Sequence, residues 1–114
     1  MERKIIFYNK YFIEFYLLLN AKEQRRIDLV LDKVKSLRWL PEKYFRHLGG
    51  TDGLYEIKIA SRFCSFRIFC CFDSNAKVIL FNAFNKKSNR TPKRELDTAL
   101  RLKKEYFNEK SNEK

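Results

Sequence analysis

The sequence predicts an α+β domain, and three observations carry that reading. Apolar residues recur at helical spacing over the first third of the chain and again after Thr91, whereas between Leu54 and Asn85 they follow strand periodicity. The strand-like segments are joined by the short connections "SR" and "SNA", which favour neighbouring antiparallel strands in a meander. No internal repeat or linker divides the 114 residues, which contain only three Gly and two Pro. The expected order is β-α-α-β-β-β-α, with an antiparallel sheet packed on an N-terminal helix pair and a C-terminal helix.

Each element has its own signal. "KIIFY", residues 4–8, reads as a short opening strand. Phe12, Phe15, Tyr16 and Leu19 then fall on one stripe of a short first helix. Asn20 with Glu23 three residues on is a capping-box pattern for a second helix, whose stripe is Ile27, Val30, Leu31, Val34 and Leu37. That helix should end near Trp39, just before Pro41. Two helices in succession bury their stripes against each other and against something flat. The turn-forming "GGTDG" leads into that flat element: "LYEIKIA" at 54–60, "RFCSFRIFCCFD" at 62–73 and "KVILFNAFN" at 77–85. Thr91 offers an N-cap and Pro92 a first helical position for a closing helix, which carries Leu96, Ala99, Leu100, Tyr106 and Phe107 and runs to about Asn108. A single domain is expected over residues 1–109, with 110–114 a frayed polar tail.

Composition narrows the function. A 13.9 kDa chain folds to a surface of roughly 6,700 Å², against about 20,000 Å² unfolded, which allows one sizeable core. With 45% apolar residues the chain is globular, and its net charge of +11 raises the prior for a polyanionic partner: nucleic acid, an acidic protein or an anionic membrane surface. Cys64, Cys70 and Cys71 are odd in number and two are adjacent, so a strand would point those two to opposite faces. They suit neither a disulfide scaffold nor a zinc site and read as small buried apolar residues in a reducing cytosol. Neither a metal nor a cofactor is expected. "FYLLL" is too short for a bilayer span or a signal-peptide core, and the last helix mixes Lys with apolar residues too loosely for a membrane surface. A cytoplasmic protein with no membrane role is the expectation.

Strand parity sorts the chemistry. Tyr55, Ile57 and Ile59 make the core face of the first meander strand, leaving Glu56 and Lys58 opposite. In the second, Phe66, Ile68, Cys70 and Phe72 face the core, leaving Ser65, Arg67 and Asp73 with Phe63, Phe69 and Cys71. In the third, Ile79, Phe81 and Ala83 suit the core, leaving Asn82, Phe84 and Lys86 outside. Glu56, Lys58, Arg67, Asn82 and Lys86 should therefore share one open face with aromatic neighbours. Residues 86–104 add eight Lys and Arg against Glu95 and Asp97, a local charge of +6. Such a run at a strand-to-helix junction is often just a solvated surface. Arg67 is different, because an arginine within "FCSFRIFCCF" is unfavourable on a buried face unless paired. Either Glu56 neutralises it structurally or it awaits an anion. A cationic face bearing aromatic rings suits single-stranded nucleic acid, with phosphates on cations and bases on rings.

Three stretches, "HLGGTDGLYEIKI", "FRIFCCF" and "ILFNAFNKKSNRTPKRELDTA", in that order and spacing, resemble the HigB-like, phage-derived branch of the RelE/ParE toxin superfamily, a resemblance that spans residues 5–107. It implies a RelE-like fold, with a sheet packed on two N-terminal helices and a C-terminal segment beside a cleft. It also implies the toxin of a type II toxin-antitoxin system: an endoribonuclease that cuts messenger RNA on the ribosome and is neutralised by a co-encoded antitoxin, expected to be acidic or of helix-turn-helix type. By position Arg67 matches the family's strand arginine, and Lys86 and Lys87 its basic pair. Glu56 and Lys58 fall where charged residues occupy the preceding strand. Many members carry a small residue and a histidine near the last strand; this chain has Asn82 there, and its sole histidine, His47, precedes the "GG" turn as a loop or packing residue.

RNA can be cut without a metal when its own 2′-OH attacks the adjacent phosphate, provided that the attack is oriented, the extra charge stabilised and two protons moved. Arg67 would grip the nonbridging oxygens. Lys86 and Lys87 crowd each other and Arg90, so one is the candidate acid or base and the other a phosphate ligand. Glu56 is an alternative base, or simply the ion-pair partner of Arg67 or Lys58. Asn82, Phe84, Arg90, Lys93 and Arg94 are the expected RNA contacts around this centre, helped by the free N–H groups at the start of the last helix. Two rivals remain open: a ParE-like poison of DNA gyrase, and a nontoxic basic RNA-binding module.

Overall fold

The computed structural model describes residues 2–74, 76–87 and 90–112. These form strand β1 (Lys4–Phe7), helices α1 (Tyr11–Leu17) and α2 (Ala21–Ser36), strands β2 (Phe45–His47), β3 (Tyr55–Ala60), β4 (Ser65–Asp73) and β5 (Lys77–Asn85), and helix α3 (Lys93–Asn112). The sheet order is β1-β5-β4-β3-β2. The α+β class and the antiparallel β3-β4-β5 meander agree with the sequence reading. Two features differ: β1 lies parallel to β5, and the short strand β2 pairs antiparallel with β3. Parallel pairing of β1 follows from the intervening helix pair, which carries the chain back across one face of the sheet before β5 is reached.

Local chemistry accounts for the boundaries. Both halves of the capping box form at α2, with the Asn20 side chain accepting from the Glu23 N–H at 2.8 Å and the Glu23 carboxylate accepting from the Asn20 N–H at 3.0 Å. α2 stops at Ser36, short of Trp39, where Leu37 turns extended; Arg3 donates at 3.0 Å to the Val34 carbonyl, which the helix leaves open, and at 3.0 Å to the carbonyl of Arg38 just beyond the helix. Between β2 and β3 the chain reverses through Gly50 (φ 76°) and Gly53 (φ 77°), left-handed positions that favour glycine.

Helix α3 begins at Lys93 and continues through Asn112, past both Asn108 and the start of the expected frayed tail. Two contacts hold that end: Tyr8 Oη donates to Glu109 at 2.7 Å, and Lys110 Nζ donates to Asp73 at 2.5 Å. Residues 113 and 114 of the expected tail lie outside the described residues.

The sheet is covered on both faces. Phe12, Ile27, Leu31 and Val34 from α1 and α2 pack on Ile57, Ile59, Phe66, Ile68, Cys70, Val78 and Leu80. On the other face Ala99 and Leu102 of α3 pack on Leu54, Phe69, Cys71, Ile79, Phe81 and Phe84. This second core corrects the expectation of a wholly open face. It also corrects the third strand's parity, since Ile79 and Phe81 lie under α3 and Val78 and Leu80 face the helix pair. The reason is a bulge. Ile68 pairs with Ala83 but Cys70 pairs with Leu80, so β5 carries one extra residue there and Phe81 and Asn82 fall on the same side.

The buried thiols behave as the cysteine reading expected. Burial pushes Cys71 up to about 12 and raises Cys70 well above the ordinary thiol range, so both stay protonated and apolar.

Asp73 at the end of β4 clamps α3, accepting from Lys110 and from Tyr106 Oη, each at 2.5 Å. The Lys110 bond first, then that of Tyr106, holds its carboxyl below the usual range. A depressed folded value means stability that is present above the unfolded value near 3.9 and disappears as the pH falls through the folded value. Asp73→Asn is expected to lower unfolding free energy by about 1–2 kcal/mol at pH 7, with the difference shrinking below about pH 3. Urea titrations of both proteins at the two pH values check this; a difference independent of pH would refute it.

Candidate functional site

Register on β3, β4 and β5 places Lys58 beside Arg67 and Arg67 beside Phe84. Paired residues share a face, so Glu56, Lys58, Arg67 and Phe84 all look toward the α3 side, near the end of the sheet that α3 leaves uncovered. Just beyond β5, the Lys86 N–H donates to the Ser65 carbonyl at 2.7 Å, continuing the pairing and bringing Lys86 alongside the start of β4.

The centre of this face is a carboxylate between two guanidiniums. Glu56 Oε1 lies 3.3 Å from Arg67 Nε and 3.3 Å from Arg46 Nη2. The Glu56 side chain is 0% exposed and that of Arg67 11%, whereas Arg46 is 42% exposed. A carboxylate this buried is strongly unfavourable unless paired, so the arginines explain its presence. The reverse does not hold, because one carboxylate neutralises only one guanidinium. The triad keeps a surplus positive charge, with Lys58 and Lys86 nearby. Arg67 is further held by Nη1, which donates to Ser65 Oγ at 3.0 Å and to the Phe66 carbonyl at 3.2 Å. Arg67 Nε makes no hydrogen bond among the described residues, so its 3.3 Å approach to Glu56 Oε1 is a Coulombic contact, and Glu56 Oε2 is likewise left without a hydrogen-bond partner there.

The other candidates divide by burial. Asn82 is 2% exposed and Phe84 7%. Asn82 Nδ2 donates to the Glu95 carbonyl at 3.0 Å and to its carboxylate at 3.1 Å, fastening the first turn of α3 to the β5 bulge. Phe84 packs against Phe69 with ring centroids 5.4 Å apart. Both therefore serve the second core, and the expectation that they touch RNA is corrected on that ground. Lys86 is half-buried, and Lys87 and Arg90 are exposed. Lys93 and Arg94 are exposed on the first turn of α3, with Lys93 3.9 Å from Asp97. Glu56, being fully buried, is a partner for arginine and has no surface from which to take a proton from a bound ribose.

Sequence reasoning missed Arg46. It lies directly opposite Glu56 on β2, the arm that precedes "GGTDG". The signal was the turn itself: a reversal needs two arms, and "FRH" is the one upstream. His47 stands on that same short strand with its ring 5.2 Å from Tyr55, a packing position. Among the described residues, no group of three or more His, Cys, Asp or Glu could hold a metal ion, and no helix is long and apolar enough to cross a membrane.

A small basic α+β domain whose sheet brings Arg67 of the central strand β4 and Arg46 of the edge strand β2 to one buried carboxylate is the class that this fold and site define. Residues 14–104 match the family described as Phage derived protein Gp49-like (DUF891). The chain belongs to that family, which is of RelE/ParE-like toxin type. The matched span contains every residue of the arginine-carboxylate triad and of the basic segment after β5. No match was found among curated proteins.

Proposed function

We propose that this protein is the toxin of a toxin-antitoxin pair and that it cuts messenger RNA on the ribosome. The observation that carries the proposal is the Glu56 carboxylate shared by Arg46 and Arg67, which leaves surplus positive charge on a face that also holds Lys58 and Lys86. Membership of a toxin-type family supports the same reading.

In the proposed reaction the 2′-oxygen of one nucleotide attacks its own 3′-phosphorus. The O2′–P bond forms, the P–O5′ bond breaks, the 2′-OH proton leaves, and the departing 5′-oxygen gains a proton, giving a 2′,3′-cyclic phosphate. Arg67 binds the nonbridging oxygens, whose charge grows in the transition state. Its guanidinium is already oriented by Glu56 and Ser65, so little reorganisation is left for the moment of reaction. Lys86 and Lys87 carry the proton transfers and the flanking phosphate, with Arg90, Lys93 and Arg94 extending the cationic track toward α3. The ribosome positions the message, so free RNA is a poor substrate. A co-encoded antitoxin, acidic or of helix-turn-helix type, neutralises the protein in the cytoplasm.

Induced expression in a bacterium, followed by mapping of 5′-OH ends on ribosome-bound messages, is the test. The expected result is growth arrest with new ends inside translated regions and weak cutting of naked transcripts. Arrest with relaxed plasmids and intact messages would move the target to DNA gyrase, and unimpaired growth would leave a nontoxic RNA-binding protein.

A further inference from the structure

The sheet has two edges, β1 and β2. β2 is three residues long and its middle residue, Arg46, is held at Glu56, so it is a poor template for further pairing. β1 is different. Its Lys4 N–H donates to the Ala76 carbonyl at 2.7 Å and the Tyr8 N–H to the Leu80 carbonyl at 3.0 Å, so Lys4, Ile6 and Tyr8 turn their backbone groups toward β5. Alternation then directs the N–H and C=O groups of Ile5 and Phe7 away from the sheet. The pairing with β5 is in unbroken register from Lys4 to Phe7, with neither proline nor bulge to blunt this edge. Phe7 stands on it 48% exposed, its ring stacked on Phe12 with centroids 5.4 Å apart, an aromatic that the single chain only half covers.

Charge decides what can add here. With a net charge of +11 two copies of the chain repel each other, except where charge is balanced locally. Along β1 it is balanced. A cavity of about 790 Å³ between β1 and α2 is lined by Arg3, Lys4 and Lys35 and by Glu2, Asp28 and Asp32, three cations and three carboxylates, around the apolar Ile5, Phe7 and Leu31. The cavity on the other flank of α2 has Arg26, Lys33, Lys43 and Lys58 and no acid. Among the described residues Lys4, Lys35, Glu2, Asp28 and Asp32 form no ion pair, so their charges are open to a partner. A strand of one charge sign would meet its like as often as its opposite on this edge. An inverted second copy meets its complement.

We infer that β1 pairs antiparallel with β1 of a second copy, joining two five-stranded sheets into one. The two-fold axis passes near Ile6, and Ile5 of each copy exchanges N–H···O bonds with Phe7 of the other, which covers the open Phe7 rings. α2 runs back along β1, since the Arg3 N–H donates to the Lys35 carbonyl at 2.9 Å and Asp28 lies about 10 Å earlier on the helix, toward Phe7. The inversion therefore brings Lys35 of one copy to Asp28 of the other. β1 is at the opposite edge of the sheet from Arg46, so the inference goes beyond the nuclease reading and stands if the protein cuts no RNA.

The test is sedimentation equilibrium of the full-length protein from about 1 to 500 µM, a range that resolves dissociation constants of the micromolar class. A reversible monomer-dimer equilibrium is expected. Phe7→Lys should weaken it by at least about tenfold, whereas Leu17→Lys, which adds the same charge at a site 68% exposed near the end of α1, should change it by less than about threefold. Asp28→Lys should also weaken it, and Asp28→Lys combined with Lys35→Asp should restore it, because the exchanged pair recovers its attraction across the axis. Circular dichroism confirms that each variant is folded. Hydrogen exchange supplies a second readout, in which the outward amides of Ile5 and Phe7 gain protection as concentration rises and those of Lys58 and Ile59 do not. A monomer throughout the range, equal losses for Phe7→Lys and Leu17→Lys, no recovery in the exchanged pair, or protection gained on β3 in place of β1 would overturn the inference.

Discussion

Arg67→Ala is expected to lower message cleavage by about a thousandfold, corresponding to about 4 kcal/mol of lost transition-state stabilisation. The side chain is 11% exposed, anchored through Nη1 to Ser65 and Phe66, and adjacent to a carboxylate it shares with Arg46. An arginine so held presents its remaining donors in a fixed direction, and that preorganisation is what an alanine removes. Arg67→Lys should recover only part of the activity, because a point charge on a flexible stem cannot reproduce the planar fork. Single-turnover cleavage on programmed ribosomes, run beside circular dichroism to confirm folding, measures the effect. Full activity in a folded Arg67→Ala protein would remove this residue from the chemistry and take the proposed mechanism with it.

Glu56→Ala is expected to destabilise the fold by about 3–5 kcal/mol, the cost of leaving a buried ion without its partner. Arg46, at 42% exposure, can turn to water; Arg67 cannot, so the penalty falls mainly there. Coupling is the decisive signature. If the penalty arises from an unpaired guanidinium, Glu56→Leu combined with Arg67→Leu should be less destabilising than Glu56→Leu alone, a non-additivity of the kind expected for residues in direct contact. Denaturant unfolding of the single and double variants tests this, and strictly additive losses would show that the triad is not an energetic unit. Glu56→Gln adds a functional readout, since it keeps the shape while removing the charge. Cleavage should fall through misplacement of Arg67 even in preparations that remain fully folded.

The elements themselves were legible because their signals are local. The capping box at Asn20 and Glu23, the α2 stripe and the alternation "YEIKI" each specify structure within a few residues; α2 starts and β3 runs where expected, and only the end of α2, at Ser36 instead of near Trp39, differs. Reading Glu56 as a possible ion-pair partner of Arg67 also succeeded, because parity on two adjacent antiparallel strands needs only a short connection to bring them together. Asn82 and Phe84 were misassigned for a different reason. Their side of the strand was right, but nothing near them in sequence reveals that α3 folds back over that side, or that Asn82 spends its amide on Glu95.

Thus the residue pattern alone determined the α+β class, the meander, the excess of positive charge and the presence of an arginine among buried strand residues. Tertiary structure decided what surrounds that arginine: the upstream hairpin arm that brings Arg46 to Glu56, the one-residue bulge that turns Phe81 under α3, and the helix that closes half of the sheet face. The physical reason is range. Periodicity and capping are set by neighbours within one or two turns, whereas burial and charge pairing depend on which distant segments meet, and a single extra residue in a strand exchanges one face for the other.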